Sequence, residues 1–129
     1  IQSKTTSEHY QWGQGCSGWR LVDTPGLSVI EELMPPNTQE QRHYHQKAQQ
    51  FFRIISGTAT FEVREEIVTV QSGEGLHIPP NTPHCIRNDQ KVPLEFLVIS
   101  QPTTQSDRFD LHDEYAGRLG HWKGFQVSF

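Results

Sequence analysis

Between Leu27 and Ser100 the chain alternates apolar and polar residues in short runs, each stopped within a strand's length by a turn-forming residue. That punctuation restricts the fold more than any other feature. A helix needs apolar residues recurring every three to four positions, and no window before Ser100 sustains that period. The pattern predicts strands over 27–34, ended by Pro35-Pro36, over 40–46, and over 50–56 (QFFRIIS), closed by Gly57. Runs 58–64 and 67–71 flank a hairpin turn at Glu65-Glu66. Gly75–Ile78 runs into Pro79-Pro80, and 83–88 and 93–100 (PLEFLVIS) complete the set. Many short strands at regular spacing predict an all-β sandwich or barrel.

At 129 residues the chain fits one domain, with enough residues to bury a core without metal or disulfide staples. Its first eight residues and 101–107 are strongly polar, so the expected core covers about 18–101 and leaves a tail at 102–129. In that tail, 108–118 admits a short C-terminal helix, and 121–129 a strand or an arm.

Charge excludes some partners. The net charge is −4 and the pI about 5.9, so no basic stripe awaits phosphates and no nucleic-acid partner is expected. No apolar run approaches the ~18–20 residues of a membrane span, so no membrane partner is expected either. Two cysteines, Cys16 and Cys85, are too few for a disulfide framework and predict reduced thiols in a cytoplasmic protein.

The chemistry concentrates at His43-Tyr44-His45. On a strand, side chains alternate faces, so both imidazoles point one way and Tyr44 the other. If His84 arrives from a neighbouring strand, three nitrogen ligands converge, and Gln50 adds a carbonyl oxygen. Three imidazoles and one oxygen suit a divalent transition metal (Fe, Ni, Mn, Zn, Co or Cu) better than Mg or Ca. The tetrapeptide Pro35-Pro36-Asn37-Thr38 recurs as Pro79-Pro80-Asn81-Thr82, each time shortly before a candidate ligand. Proline stops the strand and Asn tolerates the left-handed turn that follows, so one turn chemistry serves both.

These spacings resemble the cupin superfamily, whose first motif has the form G(X)5HXH(X)3–4E(X)6G. Here Asn37, His43, His45, Gln50 and Gly57 occupy its positions. The second motif, G(X)5PXG(X)2H(X)3N, is matched by Gly73, Pro79, Asn81, His84 and Asn88. The motifs lie at 37–57 and 73–88, and the resemblance implies a small single-domain double-stranded β-helix, or jelly-roll barrel. It also implies metal ligation by His43, His45, Gln50 and His84, a homodimer, and family reactions that include dioxygenase-like oxidations and isomerisations.

Asn37 and Asn81 stand where the family usually has Gly, a change that a left-handed turn accepts. Gln50 in place of Glu matters more. It gives the ion a neutral amide oxygen instead of a carboxylate, which weakens metal binding and leaves more positive charge for an anionic ligand. Gln50 is also a poor general base. Gln49 precedes it, but alternation admits one of the pair inward, and the six-residue gap to Gly57 favours Gln50. By the same alternation Phe52 and Ile54 wall the pocket, while Phe51, Arg53 and Ile55 face outward, and Cys85 turns away from the metal. One of Glu31 and Glu32 points inward as the nearest acid or base, and alternation alone does not say which. Trp12 and Trp19 fit either a lid or outside packing. His77 fits a pocket or a surface place, and His9, His112 and His121 the surface.

Three functions fit these residues. One is a metal-dependent enzyme acting on a small polar or anionic metabolite, by dioxygenase-like oxidation or by isomerase or lyase chemistry. The second is a non-catalytic module binding a sugar or small metabolite. The third is a structural barrel. The first requires a positioned acid or base beside the metal.

Overall fold

The computed structural model describes residues 1–112. They form strands β1 (Glu8–Trp12), β2 (Cys16–Asp23), β3 (Ser28–Met34), β4 (Thr38–Gln39), β5 (His43–Tyr44) and β6 (Gln49–Ser56). Then follow β7 (Thr58–Val63), β8 (Glu66–Gln71), β9 (Gly75–Ile78), β10 (His84–Asn88), β11 (Leu94–Gln101) and β12 (Phe109–Asp110). One sheet runs β1-β2-β3-β11-β6-β9 and the other β12-β5-β10-β7-β8, with β4 also on β10. The strand pairs are antiparallel, and chain neighbours often lie apart in the sheets, so this is a double-stranded β-helix.

Register places the core. Along β6, Gln50, Phe52 and Ile54 are buried while Gln49, Phe51, Arg53 and Ile55 are exposed. Their partners on β11 are Ser100, Val98 and Phe96, and β3 continues the rows with Ser28, Ile30 and Glu32. These inward faces close on Phe61, Ile86 and Ala59 of the opposite sheet. The sequence alternation is thus the two-sidedness of each strand.

Turns fall where the sequence placed them. Asn37 and Asn81 adopt φ of 60° and 61°, and each anchors its turn through its own backbone N–H, to Asn88 O at 2.8 Å and His45 O at 2.6 Å. Gly57 has a φ of 91°, and a Cβ there would lie 2.8 Å from the carbonyl oxygen of Pro93, so a side chain does not fit. The β7–β8 hairpin turns at Arg64-Glu65, one residue before Glu65-Glu66, with Arg64 at φ 55°. Asn88 is buried and bonds the carbonyls of Met34 and Val92 at 3.0 and 2.8 Å, tying β3 to the loop before β11.

Three segments differ from expectation. Of the strand expected over 40–46 only β5 forms, with 40–42 and 45–46 outside any strand and β4 lying before them. Residues 8–23 form β1 and β2, whose Gly-rich character hid their alternation. The expected helix over 108–118 is not what its start forms: Phe109–Asp110 is strand β12, with Phe109 opposite Tyr44 and Asp110 opposite His43. Edge pairing satisfies backbone groups that a short, weakly periodic helix would leave to solvent. The rest of that helix, and the strand or arm over 121–129, lie outside the described residues. Among those described, no helix is long and apolar enough to cross a membrane.

Candidate metal centre

A cavity of about 730 Å³ opens between the sheets, with His43 and His45 in its wall and His84 buried behind them. His43 leaves β5, and His84 lies directly opposite it on β10. His45 follows β5 by one residue, on the same face as His43. Their ligating atoms lie within 4.8 Å of one another, and all three residues are buried. This group is positioned to hold a metal ion.

Hydrogen bonds fix each ring. His43 Nδ1 donates to Gln41 O at 2.7 Å, His45 Nδ1 to Asp107 O at 2.7 Å, and His84 Nδ1 to Thr82 O at 2.8 Å. A backbone carbonyl only accepts, so each Nδ1 carries the proton and each Nε2 presents a lone pair. Burial lowers the pKa of all three rings: His84 falls to about 3, His43 goes well below its usual value, and His45 is lowered too. Neutral imidazole is the metal-binding form. Among the described residues His45 Nε2 is buried and takes part in no hydrogen bond, a costly state that an ion would relieve. Judged by the protein alone, the donor set fits a transition metal.

Gln50 enters from β6 as the alternation predicts, and Gln49 is exposed. Gln50 Oε1 lies 3.1 Å from His84 Nε2, and its Nε2 donates to Ser100 Oγ at 3.0 Å. The structure therefore brings His43, His45, Gln50 and His84 into one place. Cys85 turns to the far face, opposite Glu62, where burial raises its thiol pKa. Both cysteines are free and buried.

The carboxylates resolve one open alternative. Glu32 points into the cavity, while Glu31 faces outward and meets Lys4 at 3.4 Å. Glu40 lines the same cavity, a role the sequence did not suggest. Its Oε1 accepts from Ile86 N at 3.2 Å. Burial raises Glu32 to about 8, with Glu40 adding repulsion, and burial raises Glu40 to about 7 against the pull of Arg108. Tyr10 was also missed. Its hydroxyl lies 3.4 Å from Glu32 Oε2, and its ring crosses Gly18, where any Cβ would clash with it at 2.4 Å. A glycine inside a strand signals such an approach. Arg20 stacks over that ring at 4.4 Å.

Asp107 is the third omission, from a stretch that reads only as polar. Its carboxylate accepts from the backbone of Gln46, Lys47 and Ala48 at 2.9, 3.1 and 3.0 Å. Burial opposes its ionisation, but these donors outweigh it and hold its pKa below the usual carboxylate range. Other candidates fall elsewhere. Phe52 lines the cavity and Ile54 lies deeper in the core. Trp12 is a core residue, and Trp19 packs outside against His9. His77 is exposed, 3.0 Å from Gln49, and His112 is exposed. His121 lies outside the described residues.

Comparison with known proteins gives a consistent picture. Residues 30–100 match the family model described as Cupin domain. An uncharacterized protein of Methanocaldococcus jannaschii is 32% identical over 75 residues, covering 58% of this chain and 60% of the relative. A mannose-1-phosphate guanylyltransferase of Salmonella muenchen is 33% identical over 79 residues, covering 58% of this chain but 16% of the transferase. The chain thus spans less than two thirds of either relative. Among solved structures, a sugar phosphate isomerase of the cupin superfamily from Silicibacter pomeroyi aligns with a TM-score of 0.72 and 20% identity. That alignment covers 80% of this chain and 76% of the isomerase, and it establishes likeness of fold.

Proposed function

This chain belongs to the cupin family, and on that premise we propose a metal-dependent enzyme of the isomerase or lyase type, acting on a small polar or anionic metabolite. One observation carries the reading: three histidine nitrogens converge, and two of those histidines, His43 and His45, line a cavity that Glu32 and Glu40 also line. His43, His45 and His84 would hold a divalent transition metal, with Gln50 as a fourth, neutral ligand. When bound, the ion supplies Lewis-acid polarisation of a substrate oxygen.

The chain's own residues supply the proton chemistry. Glu32 and Glu40 have pKa values of about 8 and 7, so each can hold or release a proton at its carboxyl oxygens near neutral pH. Tyr10 holds Glu32 in place. Phe52, Phe96 and Val98 narrow the space available to water, and Arg20 and Arg108 give the cavity wall positive charge for an anionic group. A sugar phosphate fits these features, and the isomerase similar in fold adds weight to that class. Positioned proton carriers favour isomerase or lyase chemistry over a dioxygenase-like oxidation.

Free buried thiols support the cytoplasmic expectation. For assembly, the outer face of the first sheet presents a row of Val22, Val29, Ile99 and Phe51, a surface suited to a homodimer. Sedimentation of wild type and Phe51→Glu tests this: a dimer that becomes a monomer supports it, and a wild-type monomer overturns it.

The deciding experiment is elemental analysis, followed by a screen of phosphorylated and acidic sugars for metal-dependent isomerisation or elimination. Turnover lost in Glu32→Gln or Glu40→Gln supports the proposal. Tight ligand binding without turnover favours the non-catalytic module instead. No metal after reconstitution overturns the enzyme reading.

A further inference from the structure

The Gln50–Ser100 pair has a property that a carboxylate at position 50 would lack. The two residues are direct register partners on β6 and β11, 7% and 3% exposed. Gln50 Nε2 donates to Ser100 Oγ at 3.0 Å, while Gln50 Oε1 faces His84 Nε2 at 3.1 Å. His84 Nδ1 spends its proton on Thr82 O, so its Nε2 is an acceptor. Two acceptors therefore face each other at hydrogen-bond distance, an arrangement that favours a cation at their side.

The opposite amide orientation has its own partners. A half-turn about Cγ–Cδ directs the Gln50 N–H at His84 Nε2 and leaves Oε1 facing Ser100. A serine hydroxyl both donates and accepts, so Ser100 satisfies the amide either way. A carboxylate offers no N–H to His84 and has no such second state.

We propose that Gln50 and Ser100 form a two-position latch that keeps His84 Nε2 and the Gln50 amide partnered both with and without a divalent cation. Without the ion, Gln50 donates to His84 and accepts from the Ser100 hydroxyl. With it, the amide turns, Oε1 faces the ion, and Ser100 becomes the acceptor. Ser100 is a positioning residue, and the latch lowers the cost of leaving the site without its ion. This inference rests on the metal reading of the site.

The test is nitrogen NMR of the full chain, labelled on glutamine and histidine, with and without one equivalent of Zn²⁺. Coupling across a hydrogen bond between the Gln50 amide and His84 Nε2, present without Zn²⁺ and lost with it, is the expected result. Calorimetric titration of Ser100→Ala should show Zn²⁺ affinity reduced roughly tenfold, as for other residues that orient ligands, with Ser100→Thr restoring it. A Gln50 N–H that donates to Ser100 in both conditions, with no coupling to His84 Nε2, overturns the latch but leaves the metal site standing. So does Ser100→Ala binding Zn²⁺ as wild type does. A wild-type chain that binds no divalent metal overturns both.

Discussion

His45 and Asp107 are bound to each other across 62 residues of chain: the ring donates to the Asp107 carbonyl at 2.7 Å, and the Asp107 carboxylate gathers the backbone that follows His45. One residue thereby sets both the tautomer of a candidate ligand and the path of the loop behind it. Asp107→Ala should cost about 2–3 kcal/mol of stability, since it removes charge-assisted hydrogen bonds and strands the buried Ala48 N–H. Urea unfolding measures this. Because the folded pKa of Asp107 is depressed, its contribution is present above the usual aspartate pKa and lost as pH falls through the folded value. The difference between wild type and variant should therefore shrink in acid.

His45→Ala should abolish stoichiometric metal while leaving a folded barrel. The ring occupies the cavity wall, outside the apolar cluster around Phe61 and Phe96, and two histidines make a weak transition-metal site. Elemental analysis together with circular dichroism separates loss of metal from loss of fold.

Gln50→Glu should tighten divalent metal binding, because a carboxylate lowers the charge of the loaded site and outcompetes an amide as donor. Competition titration against a chelator reads the change. Equal or weaker affinity would remove Gln50 from the ligand set.

Glu32 gives a pH signature of opposite sign to Asp107. Its folded pKa of about 8 lies above the ordinary 4.5, so the folded chain holds its proton more tightly than the unfolded one. That contribution is complete below the unfolded pKa and is lost as pH rises from about 4.5 through 8. Glu32→Gln should therefore gain thermal stability relative to wild type at pH 9 over pH 5. A constant difference across that range would show that Glu32 titrates as an ordinary surface carboxylate.

What could be read in advance was local. Gln50 inside and Gln49 outside follow from alternation on β6, and Asn37 and Asn81 take the turns that their side chains tolerate. Glu31 and Glu32 are adjacent on a strand, so one had to face inward, but only the pairing of β3 with β11 puts Glu32 beside Phe96. Tyr10 was hidden for a related reason: its value depends on Gly18 leaving room for its ring above the next strand.

The sequence by itself determined most of the strands between Leu27 and Ser100, their two faces, the turns at Asn37, Gly57 and Asn81, and the grouping of His43, His45, Gln50 and His84 as candidates. Those properties depend on period-two geometry and on backbone preferences that neighbouring residues settle among themselves. Tertiary structure alone decided which strands meet. It brought Asp107 to His45, Ser100 to Gln50 and Glu40 into the cavity with Glu32. It also made Phe109–Asp110 a strand on β5. Contacts between residues distant in sequence depend on the net energy of closing the whole barrel, which no single stretch of chain contains.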